Sequence, residues 1–315
     1  MTSLLDTLGI DDRPLLVQDG AAQTARAAFH STSSLSLLMP KITTSTTPGA
    51  ELFYQDCGSA SDPVVVLIHG WPLSWRMWEP QIEPLVAAGY RVVAYDRRGF
   101  GSSAFPWTGY DYDTFAGDLK DLLDELDITG ATLVGFSMGG GEVARYIGTY
   151  GTDRVAKAAL VSAVTPFMLK TADNPDGVPQ KVFDDMKAGI KEDRIGFMDG
   201  FGEKFVGWGL LDHPISKAQL AYNKSIAAMA QPHATLTCVD AFGTTDFRDD
   251  VRKMTVPTLV VHGTGDDIVP ADVGGKAAAE LLPDGRLELI DGAPHGLNMT
   301  HTERFNELLM DFLKS

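Results

Sequence analysis

The stretch LVGFSMGGGEVARY, residues 133–146, places Ser137 between Gly135 and Gly139. An apolar run precedes the serine and a helical pattern follows it. The order G-x-S-x-G between a strand and a helix is typical of a nucleophile elbow, in which the glycines allow a strained turn that exposes the serine Oγ. A glycine-rich turn without catalytic function is the alternative for the motif alone, and the partners of Ser137 must decide between the two.

Around this stretch, short apolar runs alternate with helical patterns. Candidate strands lie at residues 51–57, 64–69, 91–96, 131–136, 157–163, 258–263 and 286–291. Several are apolar throughout, which is typical of strands covered on both faces. Helical patterns at residues 114–127 and 141–150 lie between strands. The sequence therefore predicts an α/β fold with a mostly parallel central sheet and helices on both faces.

This alternation stops between residues 166 and 250, where only helical patterns occur. We interpret this segment as an inserted helical cap, with the core formed by residues 41–165 and 251–315. Residues 1–40 lack a basic segment followed by an apolar one, which argues against a secretory signal. We expect them to form a poorly ordered N-terminal extension.

Composition excludes several classes of function. The 315-residue chain has a formal net charge of −16, which disfavours nucleic acids and anionic lipid surfaces as partners. No apolar run approaches the roughly 20 residues that cross a bilayer. Cys57 and Cys238 fit neither a disulfide framework nor a metal motif, which favours a reducing compartment and a cytoplasmic location. Metal-binding and nucleotide-binding motifs are also missing from the sequence, so we expect no cofactor.

A nucleophilic serine needs a histidine that takes its proton and an acid that orients the histidine. In folds with this elbow, the acid and then the histidine follow the serine, each just after a later strand. Of the seven histidines, only His295, in the loop after the last strand, has this position. Asp266 and Asp267 both follow the strand at residues 258–263, and spacing alone leaves either as the acid.

The tetrahedral intermediate of acyl transfer needs hydrogen-bond donors for its oxyanion. The residue after the nucleophile, Met138, supplies one backbone N–H, and the loop HGWPLSWRMW at residues 69–78 supplies the other. Trp71 is the predicted second donor because Pro72 has no N–H. Asp96 and the arginines that follow it, in YDRRGFGSS at residues 95–103, are predicted to form a turn and an internal ion pair.

Together these residues resemble the cofactor-free haloperoxidase and perhydrolase branch of the α/β-hydrolases, which includes bacterial aryl esterases and non-haem chloroperoxidases. The resemblance runs from about residue 41 to the C-terminus. The segments that carry it are HGWPLS, YDRRGFGSS, YDYDTFAGDL, LVGFSMGGGEVARY, DNPDGVP, HGTGDDIVP and DGAPHGLNMTH.

The resemblance implies a triad of Ser137, Asp266 and His295, the acid being the aspartate four residues before Pro270. It also implies backbone donors at Trp71 and Met138, a helical cap, and no metal or haem. Such enzymes hydrolyse small or aryl esters, and many transfer an acyl group to hydrogen peroxide to give a peracid that oxidises halide. Relatives often form dimers, trimers or hexamers, so a homo-oligomer is compatible with the resemblance.

An apolar acyl pocket is expected beside the nucleophile. The predicted wall consists of Trp71, Pro72, Phe136, Met138 and Phe167. In this family, a proline after the oxyanion-loop tryptophan is associated with better perhydrolysis, and it could act by redirecting the preceding carbonyl toward the peroxide. A rigid loop is the equally weighted alternative.

Two further functions fit the same residues. Some relatives hydrolyse amides or γ-lactams with this triad. A ligand receptor could also keep all three residues without turnover, because fold does not fix function.

Overall fold

A computed structural model describes residues 40–315 of the chain. The predicted extension at residues 1–40 lies outside the described residues, apart from Pro40. The described part contains eight strands, which are β1 (Lys41–Thr43), β2 (Glu51–Cys57), β3 (Val64–Ile68), β4 (Arg91–Tyr95), β5 (Ala131–Phe136), β6 (Val155–Val161), β7 (Thr258–Gly263) and β8 (Gly285–Ile290). The seven predicted strands are present, while β1 was missing from the prediction because it is only three residues long.

The strands form one sheet in the order β1-β2-β4-β3-β5-β6-β7-β8. β1, β2 and β4 pair antiparallel, and every pair from β4–β3 to β7–β8 is parallel. All six residues of β5 are buried, as expected for a central strand with helices on both faces. Ser137, which directly follows β5, therefore lies near the middle of the sheet, at the edge where ligands bind in such folds.

Helices flank the sheet on the connections between strands. They are α1 (Glu79–Ala87), α2 (Tyr112–Glu125) and α3 (Met138–Tyr150) in the first half, and α8 (Arg248–Arg252), α9 (Gly275–Leu281), α10 (Leu297–Thr300) and α11 (Thr302–Lys314) in the second. α2 begins where the Asp111 side chain accepts the Thr114 N–H, and its buried stripe includes Phe115, Leu119 and Leu122. This stripe has the spacing that packs a helix on a sheet.

Besides α8, four helices lie between β6 and β7, all within the segment predicted as a cap. They are α4 (Gln180–Glu192), α5 (Arg194–Phe205), α6 (Lys217–Met229) and α7 (Pro232–Thr244). Their two ends meet where Phe167 forms an antiparallel bridge with Asp246. The connection after β6 thus leaves the sheet and returns to it at nearly the same place, over the C-terminal ends of the strands.

Candidate active site

Ser137 occupies a strained turn between β5 and α3. Its φ of 51° and ψ of −116° are rarely adopted by residues with a side chain. A Cβ atom at Gly135 would lie 2.3 Å from the Gly139 carbonyl oxygen, and one at Gly139 would lie 2.4 Å from the Ile68 oxygen. Both motif glycines are therefore required by close backbone contacts. The helix begins at Met138 rather than at the predicted residue 141, because the turn is completed within Ser137 itself.

His295 lies in the loop after β8 and contacts both predicted partners. The Ser137 hydroxyl lies 3.0 Å from His295 Nε2, and His295 Nδ1 lies 2.7 Å from Asp266 Oδ2. Since an ionised carboxylate only accepts hydrogen bonds, Nδ1 carries the proton and Nε2 accepts from the serine. The three residues thus form a continuous hydrogen-bonded relay, and all three side chains are buried.

The two adjacent aspartates after β7 have different surroundings. Asp266 is buried, and its Oδ1 accepts the backbone N–H groups of Ile268 and Val269, each at 2.9 Å. Asp267 is exposed. Burial alone would raise the pKa of Asp266, but His295 and His262 lower this pKa to below its usual value. Asp266 is therefore the aspartate that stays ionised beside the imidazole.

The loop after β3 lies directly against the serine. A Cβ atom at Gly70 would lie 2.6 Å from Phe136 Cδ1 and 3.2 Å from the Ser137 Cβ, so a larger residue would push this loop away from the serine. Within residues 40–315, neither the Trp71 nor the Met138 backbone N–H donates to a backbone carbonyl. The two groups predicted to bind an oxyanion are thus unengaged by backbone acceptors in the part of the chain that is described.

A buried ionic network supports this loop. Asp96 accepts the backbone N–H groups of Trp75 and Ser102. Arg97 pairs with Glu142 of α3 at 2.7 Å and donates to the His69 carbonyl at 3.0 Å. The predicted turn and internal ion pair in residues 95–103 are therefore confirmed. Through Arg97, the loop after β3 is joined to the helix that begins at the nucleophile.

Two adjoining cavities lie at the site, and Ser137 lines the inner one. The inner one has a volume of about 40 Å³ and is lined mainly by apolar side chains, namely Trp71, Val164, Met168, Val178, Phe183 and Phe242, together with Ser137 and His295. The outer one has a volume of about 400 Å³ and is lined by Phe197, Lys204 and Asp267 among others. Both share Val182, Met186, Phe201 and Ile268, so these four form the boundary between them.

The inner wall differs from the predicted one. Trp71 lines it, but Phe136 packs in the core against Trp78 and against the face of His295. Met138 is fully buried and absent from the wall. Successive residues around the end of a strand point in opposite directions, so proximity to Ser137 in the sequence does not bring these side chains into the cavity.

The remaining two predicted wall residues also lie elsewhere. Pro72 lines a separate small cavity with Leu73 and Met198. Phe167 packs under the guanidinium of Arg248 at the base of the inserted segment.

The inserted segment supplies seven of the thirteen residues around the inner cavity, five of them from its helices, and the sequence prediction names none of the seven. α5 carries aromatic residues at Phe197, Phe201 and Phe205, a four-residue spacing that places them on one helix face. Phe201 packs edge-on against Trp71, with ring centroids 5.0 Å apart. The aromatic spacing is a signal that could have indicated a helix facing the site.

Residues 40–315 contain no group of three or more His, Cys, Asp or Glu side chains arranged to hold a metal ion. Between Pro40 and Ser315, no helix combines the length and apolarity needed to span a membrane.

Comparisons with known proteins identify the family of the chain. The chain matches the alpha/beta hydrolase fold family over residues 63–302. The chain belongs to the α/β-hydrolase family.

Within the family, this α/β-hydrolase is 46% identical to a putative non-heme chloroperoxidase from Synechocystis sp., over 84% of this chain and 95% of the relative. It is 40% identical to a bifunctional esterase/perhydrolase from Acinetobacter calcoaceticus, over 86% and 98% of the two chains. The crystal structure of a Bacillus anthracis bromoperoxidase matches with a TM-score of 0.83 and 48% identity, covering 88% of this chain and 100% of the other. The predicted fold and the resemblance to the haloperoxidase branch are confirmed.

Proposed function

We propose that this α/β-hydrolase is a serine enzyme that transfers acyl groups from small or aryl carboxylic esters to water and to hydrogen peroxide. The observation that carries the proposal is the buried relay from Ser137 through His295 to Asp266. The similarity to an esterase/perhydrolase and to a non-heme chloroperoxidase supports both acceptors.

The first half of the reaction acylates the enzyme. As the Ser137 Oγ attacks the ester carbonyl, His295 Nε2 takes the hydroxyl proton, and the Asp266 carboxylate stabilises the imidazolium that forms. The N–H groups of Trp71 and Met138 are proposed to donate to the oxyanion. His295 then gives its proton to the departing alkoxide, which leaves as the alcohol.

The second half removes the acyl group. Water or hydrogen peroxide attacks the ester carbon of the acyl-enzyme, and His295 takes the proton of the nucleophile and returns one to Ser137. Water yields a carboxylic acid and peroxide yields a peracid. A peracid can then oxidise a halide ion in solution to hypohalous acid and is itself reduced to the carboxylic acid, so the protein needs no redox group for halogenation.

Cavity size supports a small acyl group. The inner cavity has a volume of about 40 Å³ against about 400 Å³ for the outer one, so the inner one suits the smaller part of an ester. Its apolar wall suits an alkyl chain, and the wider outer cavity suits a larger alcohol such as a phenol. Phe197 and Phe201, whose rings stack with centroids 6.1 Å apart, offer aromatic contacts for such a leaving group.

The proposal is tested with p-nitrophenyl acetate and the variant Ser137→Ala. We expect kcat to fall by roughly 10⁴-fold or more, because removal of a triad nucleophile leaves only the catalysis by binding and oxyanion donors. Ser225→Ala is the matched control, since Ser225 is exposed and donates only to the Ala221 carbonyl. Unchanged hydrolysis by Ser137→Ala would exclude the proposed mechanism.

The amide or γ-lactam hydrolase and the ligand receptor share the same relay. Comparing the turnover of a bicyclic γ-lactam with that of an aryl acetate shows whether the enzyme prefers a lactam or an ester. A fluorophosphonate probe labels Ser137 in an enzyme and in a receptor alike, but only an enzyme releases product over many turnovers.

Several properties stay predictions. The charge of −16 disfavours nucleic acids and anionic membrane surfaces as partners. A cytoplasmic location and a homo-oligomeric state are likewise expected only from the sequence, and the cap and extension boundaries at residues 166–250 and 1–40 remain proposals.

A further inference from the structure

Asp266 holds a second imidazole besides that of His295. His262, at the end of β7, places its Nε2 3.3 Å from Asp266 Oδ2, the same oxygen that accepts from His295 Nδ1. The other oxygen, Oδ1, accepts two backbone N–H groups. Three N–H groups therefore hydrogen-bond this carboxylate, and His262 Nε2 lies against the oxygen that His295 uses.

The neighbours of His262 fix its tautomer. Its Nε2 lies 2.8 Å from the Val269 carbonyl oxygen, which can only accept, so Nε2 carries the proton. The Nε2–H bonds the Val269 carbonyl, and the same nitrogen lies 3.3 Å from Asp266 Oδ2. Within residues 40–315, the buried Nδ1 has no hydrogen-bond partner. The ring therefore makes its hydrogen bond through Nε2.

A pair of glycines fits closely around the ring. A Cβ atom at Gly275 would lie 2.7 Å from His262 Nδ1, and one at Gly274 would lie 2.8 Å from its Cε1. Neither position has room for another side chain, although neither has a positive φ. The start of α9 thus leaves a slot that the imidazole fills completely, and His262 itself has no exposed surface.

His262 also closes a ring of contacts with the loop that carries the acid. Its N–H bonds the Val269 carbonyl, while the Val269 N–H bonds Asp266 Oδ1. Rotation of the Asp266 carboxylate would break contacts at both ends of this ring. Held in this way, Oδ2 stays directed at His295.

We propose that His262 is a positioning residue for the acid of the relay, seated in the slot made by Gly274 and Gly275, with its Nε2–H bonded to the Val269 carbonyl and lying against Asp266 Oδ2. It touches neither the substrate nor the reacting serine. Its contribution is to hold Asp266 Oδ2 in line with His295 Nδ1 and to compensate part of the negative charge on that oxygen. The inference rests on the proposed function of Ser137, His295 and Asp266.

The groups around His262 define the pH dependence that follows. The titratable groups that face it are Asp266, directly, and His295, through the shared oxygen. The start of α9 meets the ring at Gly274 and Gly275, and the backbone of Ala163 lies behind Gly274. When His262 is replaced by an apolar residue, Asp266 Oδ2 keeps His295 Nδ1 as its one polar neighbour, and the negative charge of that oxygen stabilises the imidazolium of His295 more strongly. The acid limb of the kcat/KM profile should then move to higher pH.

The test compares His262→Leu, which fills the slot without a donor, with His262→Gln, whose amide keeps an N–H at a similar reach. His301→Gln is the matched control, because His301 is partly exposed and contacts Thr300 rather than the relay. Each variant is assayed for kcat and KM with p-nitrophenyl acetate, for the pH profile of kcat/KM, for the rate of fluorophosphonate labelling at Ser137, and for melting temperature.

We expect His262→Leu to lower kcat and the labelling rate by about tenfold or more, as part of the roughly 10²–10⁴-fold that a well-placed base contributes. KM should change little, the acid limb should shift upward, and His262→Gln should recover most of the rate. A folded His262→Leu protein with wild-type kcat and an unmoved pH profile would overturn the proposal. Equal losses in the Leu and Gln variants would overturn it as well, since they would indicate a packing role only.

Failure of the proposed function gives a different pattern. In that case, Ser137→Ala leaves hydrolysis unchanged and wild-type Ser137 is not labelled by the phosphonate. If the wild type is labelled and turns over, the His262 variants report on the positioning role alone.

Discussion

Asp266 Oδ2 accepts the Nδ1–H of His295 at 2.7 Å, while the carboxylate of the next residue, Asp267, faces solvent beside the outer cavity. The Oδ1 atom of Asp266 is held by two backbone N–H groups of the following turn, which fixes the direction of the side chain. Spacing in the sequence allowed either aspartate, and the turn after β7 distinguishes them.

This difference predicts opposite outcomes for two substitutions one residue apart. Asp266→Asn should lower kcat by roughly 10⁴-fold, because an amide can hold His295 in the wrong tautomer and cannot stabilise its positive charge. Asp267→Asn should change kcat by less than about twofold. Steady-state hydrolysis of p-nitrophenyl acetate by the two purified variants checks both. Equal losses would contradict the assignment of the acid.

The sequence predicts those structural features that depend on a local pattern of residues. β3 and β5 are apolar along their whole length because both faces are covered, so their positions could be predicted within one residue. The partners of Ser137 could also be located, because the fold places each just after a strand. β1, with three residues and half-exposed character, has too weak a pattern to recognise.

The cavity wall, in contrast, depends on packing between distant segments. Val164 after β6, Phe201 on α5 and Phe242 on α7 meet at the inner cavity, and no local pattern records that they do. Phe136 illustrates the opposite error, since it neighbours Ser137 in the chain but points into the core. The relay residues can be predicted because each follows a strand, and the sheet fixes where the strands end. The wall residues cannot be predicted in this way, because they depend on how the helices pack against the sheet.

The buried pair of Arg97 and Glu142 should matter for stability. Both side chains are fully buried, and Glu142 also accepts a hydrogen bond from the Tyr95 hydroxyl. Glu142→Gln leaves the arginine charge uncompensated, and we expect the free energy of unfolding to fall by about 3–5 kcal/mol. Urea unfolding at neutral pH measures this loss.

A surface pair is the control for this experiment. Lys181 and Asp185 form an ion pair whose side chains are largely exposed, so Asp185→Asn should have little measurable effect on unfolding. Similar small changes in both variants would show that burial of the Arg97 pair is unimportant.

Asp96 should make stability depend on pH in the mildly acidic range. Burial raises the pKa of Asp96 from 3.8 to about 6, although the Ser102 and Trp75 N–H groups oppose this. Because the folded-state pKa lies above the unfolded value, the stabilisation is fully present below about pH 4 and is lost as the pH rises through about 6. A shift of about two units corresponds to about 3 kcal/mol.

The variant Asp96→Asn isolates this effect, since its side chain is neutral at every pH. The asparagine has one acceptor oxygen fewer for the two N–H groups, and this lowers the free energy of unfolding of the variant by the same amount at every pH. The unfolding free energy of the wild type minus that of the variant should therefore decrease between about pH 4 and pH 7, as measured by urea titrations at several pH values. A constant difference would argue against the raised pKa.

The inner cavity should control the length of the acyl chain. Met168 is buried in its wall, and Met168→Ala should enlarge it. We expect the ratio of kcat/KM for p-nitrophenyl hexanoate to that for the acetate to rise about tenfold, because each methylene in an apolar pocket is worth roughly 1–3 kcal/mol. Phe197 lines only the outer cavity, so Phe197→Ala should leave this ratio unchanged and alter the preference among alcohols. A similar ratio in all three proteins would indicate that the acyl chain binds elsewhere.

The choice between water and peroxide is predicted to depend on Pro72. Pro72 lies in a turn closed by the Leu73 N–H and the Gly70 carbonyl at 3.0 Å, one residue after the Trp71 N–H that is proposed to bind the oxyanion. A proline restricts the residue before it, so it sets the direction of the Trp71 carbonyl, which could accept a hydrogen bond from peroxide but not bind the oxyanion. Pro72→Leu should therefore lower the ratio of perhydrolysis to hydrolysis while hydrolysis changes little.

Both rates are measured side by side over an acyl-chain series. Because Pro72 does not line the inner cavity, a uniform change across the series would support an effect on the acceptor, whereas an equal ratio in the two proteins would leave Pro72 with a purely structural role in the loop.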